Sequence, residues 1–186
     1  MPESSNQLEQ IEFPEIARQL TDMQEIDQKM RTNPAKEWDD EVDPRNTEAV
    51  RVIIAQIGWP TRSKVGEKAS IAAWLLVHHA DLDVEFQKEC LALMKAQPEG
   101  EVRPRDVAYL EDRVSVNLKL GQVYGTQMLE TWDENNQTIA YGPQPIEDME
   151  HVDERRASMG LGPLEEYIEE ITREYFPHLL KSKPSE

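Results

Sequence analysis

The sequence is poor in cysteine, in aromatic residues and in positive charge. Its one thiol, Cys90, leaves no partner for an intrachain disulfide and too little sulfur for a multi-thiolate zinc site. Aromatic residues make up 6% of the chain, and no apolar run approaches the roughly 20 residues that cross a bilayer, so no membrane association is expected. Lys and Arg number 20 against 37 Asp and Glu, for a formal net charge of -17, and the basic residues nowhere cluster. Direct nucleic-acid binding needs a basic face to neutralise phosphate, which excludes that class. The start, Met1-Pro-Glu-Ser-Ser-Asn6, lacks the basic and apolar stretches of a secretory signal, so a reducing cytoplasm is the expected location. No nucleotide-binding loop and no flavin or nicotinamide fingerprint occurs, and no cofactor is expected.

What is present is helical periodicity. The chain has 186 residues, 38% of them hydrophobic, enough for one buried core and too few for two typical domains with a linker. Residues 1–12 are polar and are expected to be flexible, as is the tail 179–186. Between them the spacing predicts a single domain, 13–178, mainly α, with about six or seven helices and one β-hairpin. Ile16, Leu20, Met23, Ile26 and Met30 recur every three or four residues, the mark of an amphipathic helix that ends near Asn33-Pro34. Trp38 to Pro44 reads as an acidic loop without the spacing or glycine of a calcium site. Asn46-Thr47 is expected to cap a helix over 48–57, and Ser63 to precede a helix to His79 that is apolar on nearly every side and hence central. Asp81 or Asp83 caps the next, in which Cys90 reads as a small buried hydrophobe. Pro104 opens another, expected to close at Gly121. The period then switches to alternation, predicting a hairpin at about 122–142 around Asp133-Glu-Asn-Asn-Gln137. Helices over 146–159 and 163–176 complete the chain.

The ionisable candidates gather in three places. His78 and His79 end the central helix beside Asp81; consecutive helical residues point about 100° apart, so only one faces a given pocket. Either is a hydrogen-bonded core histidine or, with a carboxylate and the helix C-terminus favouring its protonated form, a general acid or base. Adjacent histidines lack the i,i+4 spacing of a zinc helix, so no metal is expected. Glu111-Asp112-Arg113 lies among apolar positions: either an exposed internal ion pair, or a buried pair in which Arg113 can grip a carboxylate or phosphate. In Gln122-Val-Tyr-Gly-Thr-Gln127, strand alternation would set Gln122, Tyr124 and Thr126 in one polar row, with Gln127 opposite.

Asp27-x-x-x-Arg31, Gly58-Trp-Pro60, Val65-Gly66, His79-Ala-Asp81, Ala108-Tyr-Leu-x-Asp-Arg113, Gln122-x-Tyr-Gly-Thr-Gln127 and Arg155-Arg-x-x-x-Gly-Leu161 together resemble a bacterial domain-of-unknown-function family over residues 20 to 170. The resemblance supplies no reaction; it implies shared polar positions at Asp27, Arg31, His79, Asp112, Arg113, Gln122, Tyr124 and Gln127. The expected function is an enzyme acting on a small polar or anionic molecule by general acid/base chemistry, through hydrolysis, elimination or cyclisation. Its catalytic residues would be His79, Asp112 and Tyr124, with Arg31, Trp74, Arg113, Gln122, Thr126 and Gln127 binding substrate. The alternative is a non-catalytic acidic binding protein, such as an immunity or protein-interaction module, that meets a basic protein partner.

Overall fold

The computed structural model describes residues 11–32, 39–135 and 137–180. The helix end at Asn33-Pro34, Trp38 and nearly all of the two terminal segments lie outside the described residues. Among the described residues there are nine helices and one two-stranded antiparallel sheet, so the protein is mainly α. The backbone divides into two compact units, residues 1–107 and 108–186.

The first unit carries α1 (Pro14–Arg31), α2 (Val42–Ile57), α3 (Arg62–Val65), α4 (Glu67–His78) and α5 (Val84–Lys95). Its centre is α4, which packs against the other four. The expected all-round apolar helix is therefore the hub of this unit, with Ala69, Ala72, Ala73, Leu76 and Val77 buried. Small residues at three of these positions let the neighbouring helices approach closely. α1 starts on Pro14, whose fixed φ suits the first turn and whose missing N–H is not needed there. Its buried face differs from the apolar stripe in the sequence: Ile26 is 57% exposed, whereas the adjacent Asp27 is fully buried. α2 begins at Val42, not after Asn46-Thr47, because Pro44 is tolerated in a first turn; Thr47 Oγ1 then donates back to the Asp43 carbonyl. Asp83 is the cap of α5, its carboxylate accepting from the Phe86 N–H at 3.0 Å.

Helix α6 (Pro104–Asn117) opens before the boundary between the units and carries into the second. Its end corrects the sequence expectation. Leu120 N–H donates to Ser115 O and Lys119 N–H to Val116 O, a Schellman closure whose left-handed residue is Lys119, at φ 60°, and not Gly121. Gly121 serves close approach instead: a Cβ there would lie 2.7 Å from Glu147 Cγ and 3.1 Å from its backbone N.

The hairpin is shorter than expected. β1 (Met128–Trp132) pairs with β2 (Thr138–Pro143), with a register shift between Thr131 and Trp132. Residues 122–127 are not strand; Gln122 makes only an isolated bridge to Ile146. The expected helix over 146–159 is likewise confined to α7 (Val152–Ser158), because Gln122 takes Glu147 into backbone pairing. α8 (Leu164–Tyr175) follows Pro163 as expected, and the four-residue α9 (Pro177–Leu180) was not anticipated.

Cys90 has no exposed surface, and burial first, then the Glu89 charge, push its thiol up to about 12. A thiol so placed is packing, not a nucleophile. Ellman's reagent is expected to leave the native protein unmodified and to titrate one thiol on denaturation. Replacing Lys119 by Gly removes a left-handed penalty and is expected to stabilise by about 1 kcal/mol, whereas Gly121→Ala is expected to destabilise by about 2 kcal/mol through overpacking; denaturant midpoints measure both.

Candidate functional site

Three aspartates are buried: Asp106, paired with Arg103 through Nε at 2.8 Å and Nη2 at 2.7 Å, and two with no exposed surface, Asp27 in the first unit and Asp112 in the second, which organise most of the polar interior. In the first unit Asp27 accepts from His79 Nδ1 at 3.1 Å, from Gln28 Nε2 at 2.9 Å and from Arg31 Nε at 3.0 Å. Arg31 in turn reaches Asp43 through Nη2 at 2.5 Å. Burial would raise the Asp27 carboxyl, but the hydrogen bond and charge of His79, then Gln28 and Arg31, outweigh it and hold it below the usual aspartate range. An ionised carboxylate can only accept, so the proton of the neutral imidazole sits on Nδ1. His79 caps the C-terminus of α4 and is 16% exposed, and no hydrogen bond among the described residues occupies its Nε2. A buried carboxylate thus orients the ring.

The end of α4 is itself tied down. Gln87 of α5, fully buried, donates through Nε2 to the carbonyls of Val77 and His78 at 3.2 Å each and to Asp81 Oδ1 at 3.3 Å. Gln87 carries no sequence signal of its burial: it stands among the charged residues Glu85, Lys88 and Glu89, and only its place one residue after Phe86 and three before Cys90, both buried, sets it on the inner side of α5. Trp74 and His78 lie ring against ring, centroids 5.5 Å apart, on the same helix.

In the second unit Asp112 is fully buried and accepts four hydrogen bonds. The backbone N–H groups of Val123, Tyr124 and Thr126 donate at 2.8, 3.0 and 2.8 Å, and Thr126 Oγ1 at 2.9 Å. The carbonyls of the same segment are taken from the other side by two arginines of α7. Arg155 Nε donates to Val123 O and Arg156 Nη1 to Tyr124 O, both at 2.8 Å. Arg156 is 2% exposed and lies over the Tyr167 ring, 4.9 Å from its centre. Gln122 and Gln127 close the segment on itself. Gln122 Nε2 donates to the carbonyls of Gln127 and Gln144, its Oε1 accepts from the Gln127 N–H, and Gln127 Oε1 accepts from Arg113 Nη1 at 3.1 Å.

The polar row expected from strand alternation is therefore a buried knot. Gln122, Thr126 and Gln127 are 0%, 5% and 6% exposed, and their polar atoms meet one another and the local backbone. Tyr124 is half-buried, its hydroxyl 3.5 Å from Glu111; burial, then the Glu111 and Asp112 charges, push its phenol up to about 12. It stays neutral at any physiological pH and can donate, but not act as a base. Among the described residues no group of three or more His, Cys, Asp and Glu could hold a metal ion.

The class that fold and site define is a mainly helical protein in which a partly exposed histidine is held by a buried aspartate. The chain belongs to a family of unknown function, DUF6624, whose sequence profile matches residues 14–179. No curated protein and no solved structure matches it. No helix among the described residues is long and apolar enough to cross a membrane.

The two aspartates generate separate predictions. Because the folded-state value of Asp27 lies below its unfolded value, it stabilises the fold above about pH 3.9, and that contribution is lost as pH falls further. Asp27→Asn is expected to lower the neutral-pH melting temperature and to flatten the loss of stability below about pH 4. Asp112→Asn puts one amide N–H₂ among backbone donors and is expected to cost about 3 kcal/mol, read in urea unfolding at neutral pH.

Proposed function

We propose that the protein is an enzyme acting on a small polar or anionic molecule by general acid/base chemistry, with His79 moving the proton. The observation that supports it is the Asp27–His79 pair: a fully buried carboxylate on Nδ1, a partly exposed ring, and an Nε2 that no hydrogen bond among the described residues occupies. In this arrangement Nε2 takes a proton from water or from a substrate hydroxyl or acidic C–H. Asp27 offsets the positive charge that the ring then carries, and Nε2 returns the proton to the leaving group. Hydrolysis, elimination and cyclisation all fit that cycle. Arg31, pinned between Asp27 and Asp43 with its side chain 29% exposed, supplies positive charge for an anionic group. Trp74, beside His78 on α4, is the candidate for apolar contact with substrate. Asp112, Gln122, Thr126 and Gln127 are better understood as the frame of the second unit than as groups that touch substrate.

The acidic exterior supports a second reading, attraction of a basic protein partner, which does not depend on His79.

A panel of chromogenic phosphate, carboxylate and glycoside esters and of elimination substrates tests the first. Turnover by the wild type is expected to fall by about 10²–10⁴ in His79→Gln, with unfolding midpoint retained. Asp27→Asn should lower kcat more than it raises KM. Activity unchanged in a folded His79→Gln protein would sink the proposal.

A further inference from the structure

The second unit carries a groove of about 540 Å³ between β2, the stretch before α7, and α8. Its floor is aliphatic: Pro143, Met149, Val152, Leu164 and Ile168. Met149 is 55% exposed, a large apolar side chain with most of its surface in water. Along one edge run Glu165 and Glu169, and among the described residues no lysine or arginine lines the groove. The third carboxylate, Asp153, is already engaged, accepting from the Leu164 N–H at 2.8 Å.

The arrangement follows from helix geometry. Leu164 and Ile168 are four residues apart and so stack one above the other on α8; Glu165 and Glu169 form the next row over. The groove therefore offers an apolar row with an acidic row beside it, each advancing about 6 Å per four-residue step. The complement is a helix with an aliphatic stripe flanked by Lys or Arg. The like charges of a second copy would oppose it along this edge, as would the negative surface of an anionic membrane.

We propose that this groove is a docking site for an amphipathic, basic helical segment of a protein partner. The proposal rests on the second reading above for the partner's charge, and adds the place and the mode of contact.

The probe is a fluorescein-labelled two-heptad peptide of leucine and lysine with leucines at helical spacing, compared with versions in which lysine becomes glutamate or leucine becomes serine. Anisotropy titrations use the full chain. The leucine–lysine peptide is expected to bind at least about tenfold tighter than either control. Glu165→Lys with Glu169→Lys should weaken it at least about tenfold, and Met149→Asp likewise, since all three side chains are exposed and the fold survives their replacement. Glu85→Lys with Glu99→Lys, an equal charge change in the first unit, should weaken it less than about threefold. Equal losses from the two charge reversals, with Met149→Asp silent, would overturn the groove while leaving a diffuse attraction to basic partners standing. No binding of the leucine–lysine peptide would overturn both. A sedimenting dimer that Met149→Asp makes monomeric would assign the groove to a second copy and overturn the proposal.

Discussion

The second unit depends on how a short irregular segment, residues 122–127, is kept out of water without sheet or helix to satisfy its backbone. Buried N–H and C=O groups must find partners, and an orphan costs about 1–3 kcal/mol. Here one carboxylate, Asp112, takes three N–H groups and a hydroxyl, and Arg155 and Arg156 take two carbonyls opposite. The charges answer each other through the peptide groups between them. That removes the need for a strand and fixes α6, the segment and α7 as one assembly. Gly125, at φ 68°, completes it: a Cβ there would lie 2.7 Å from Ile146 and 3.0 Å from Leu164.

Asp27 and Asp112 are equally buried but satisfied in different ways. Asp112 is held mostly by backbone N–H groups, which neither titrate nor move without unfolding. Asp27 is held by three side chains, one of them a titratable ring that reaches solvent. A carboxylate that needs only to be stable has no use for a histidine, since a neutral donor of fixed protonation would do. On the proposed reading, the imidazole on Asp27 is the group that carries the proton, while Asp112 holds the second unit together.

What the sequence could and could not show follows from the same contrast. Periodicity located most of the helices, because burying an apolar stripe is what forms them. It misread α1 locally: Ile26 fits the stripe better than Asp27, yet hydrogen bonds from His79, Gln28 and Arg31 make the carboxylate the buried residue. Asp27 stood out only through the family resemblance. Alternation in residues 122–127 imitated a strand, yet the segment is set by Asp112, which takes the N–H groups of Val123, Tyr124 and Thr126 with no period of two. Gly121 looked like a helix stop, but the left-handed position fell to Lys119 and the glycine was needed against Glu147. In each case a long-range partner decided, and partners are not visible in spacing.

The excess of negative charge is not explained by stability. The exposed pairs, such as Arg18–Glu15 at 3.0 Å and Arg173–Glu169 at 3.9 Å, are worth at most about 1 kcal/mol each. On α8 the cost is local. Glu165 and Glu166 benefit from the positive end of the helix, but Glu169, Glu170 and Glu174 lie further along, and Glu170–Glu174 is a like-charge i,i+4 pair opposed to helix formation. Within α8 only Arg173 offsets them. A helix needed solely for packing would do better with lysines on that side, as its strong apolar stripe already supplies the burial. The one-signed face beside an open aliphatic floor is therefore an electrostatic cost to the isolated chain that a basic partner would reverse.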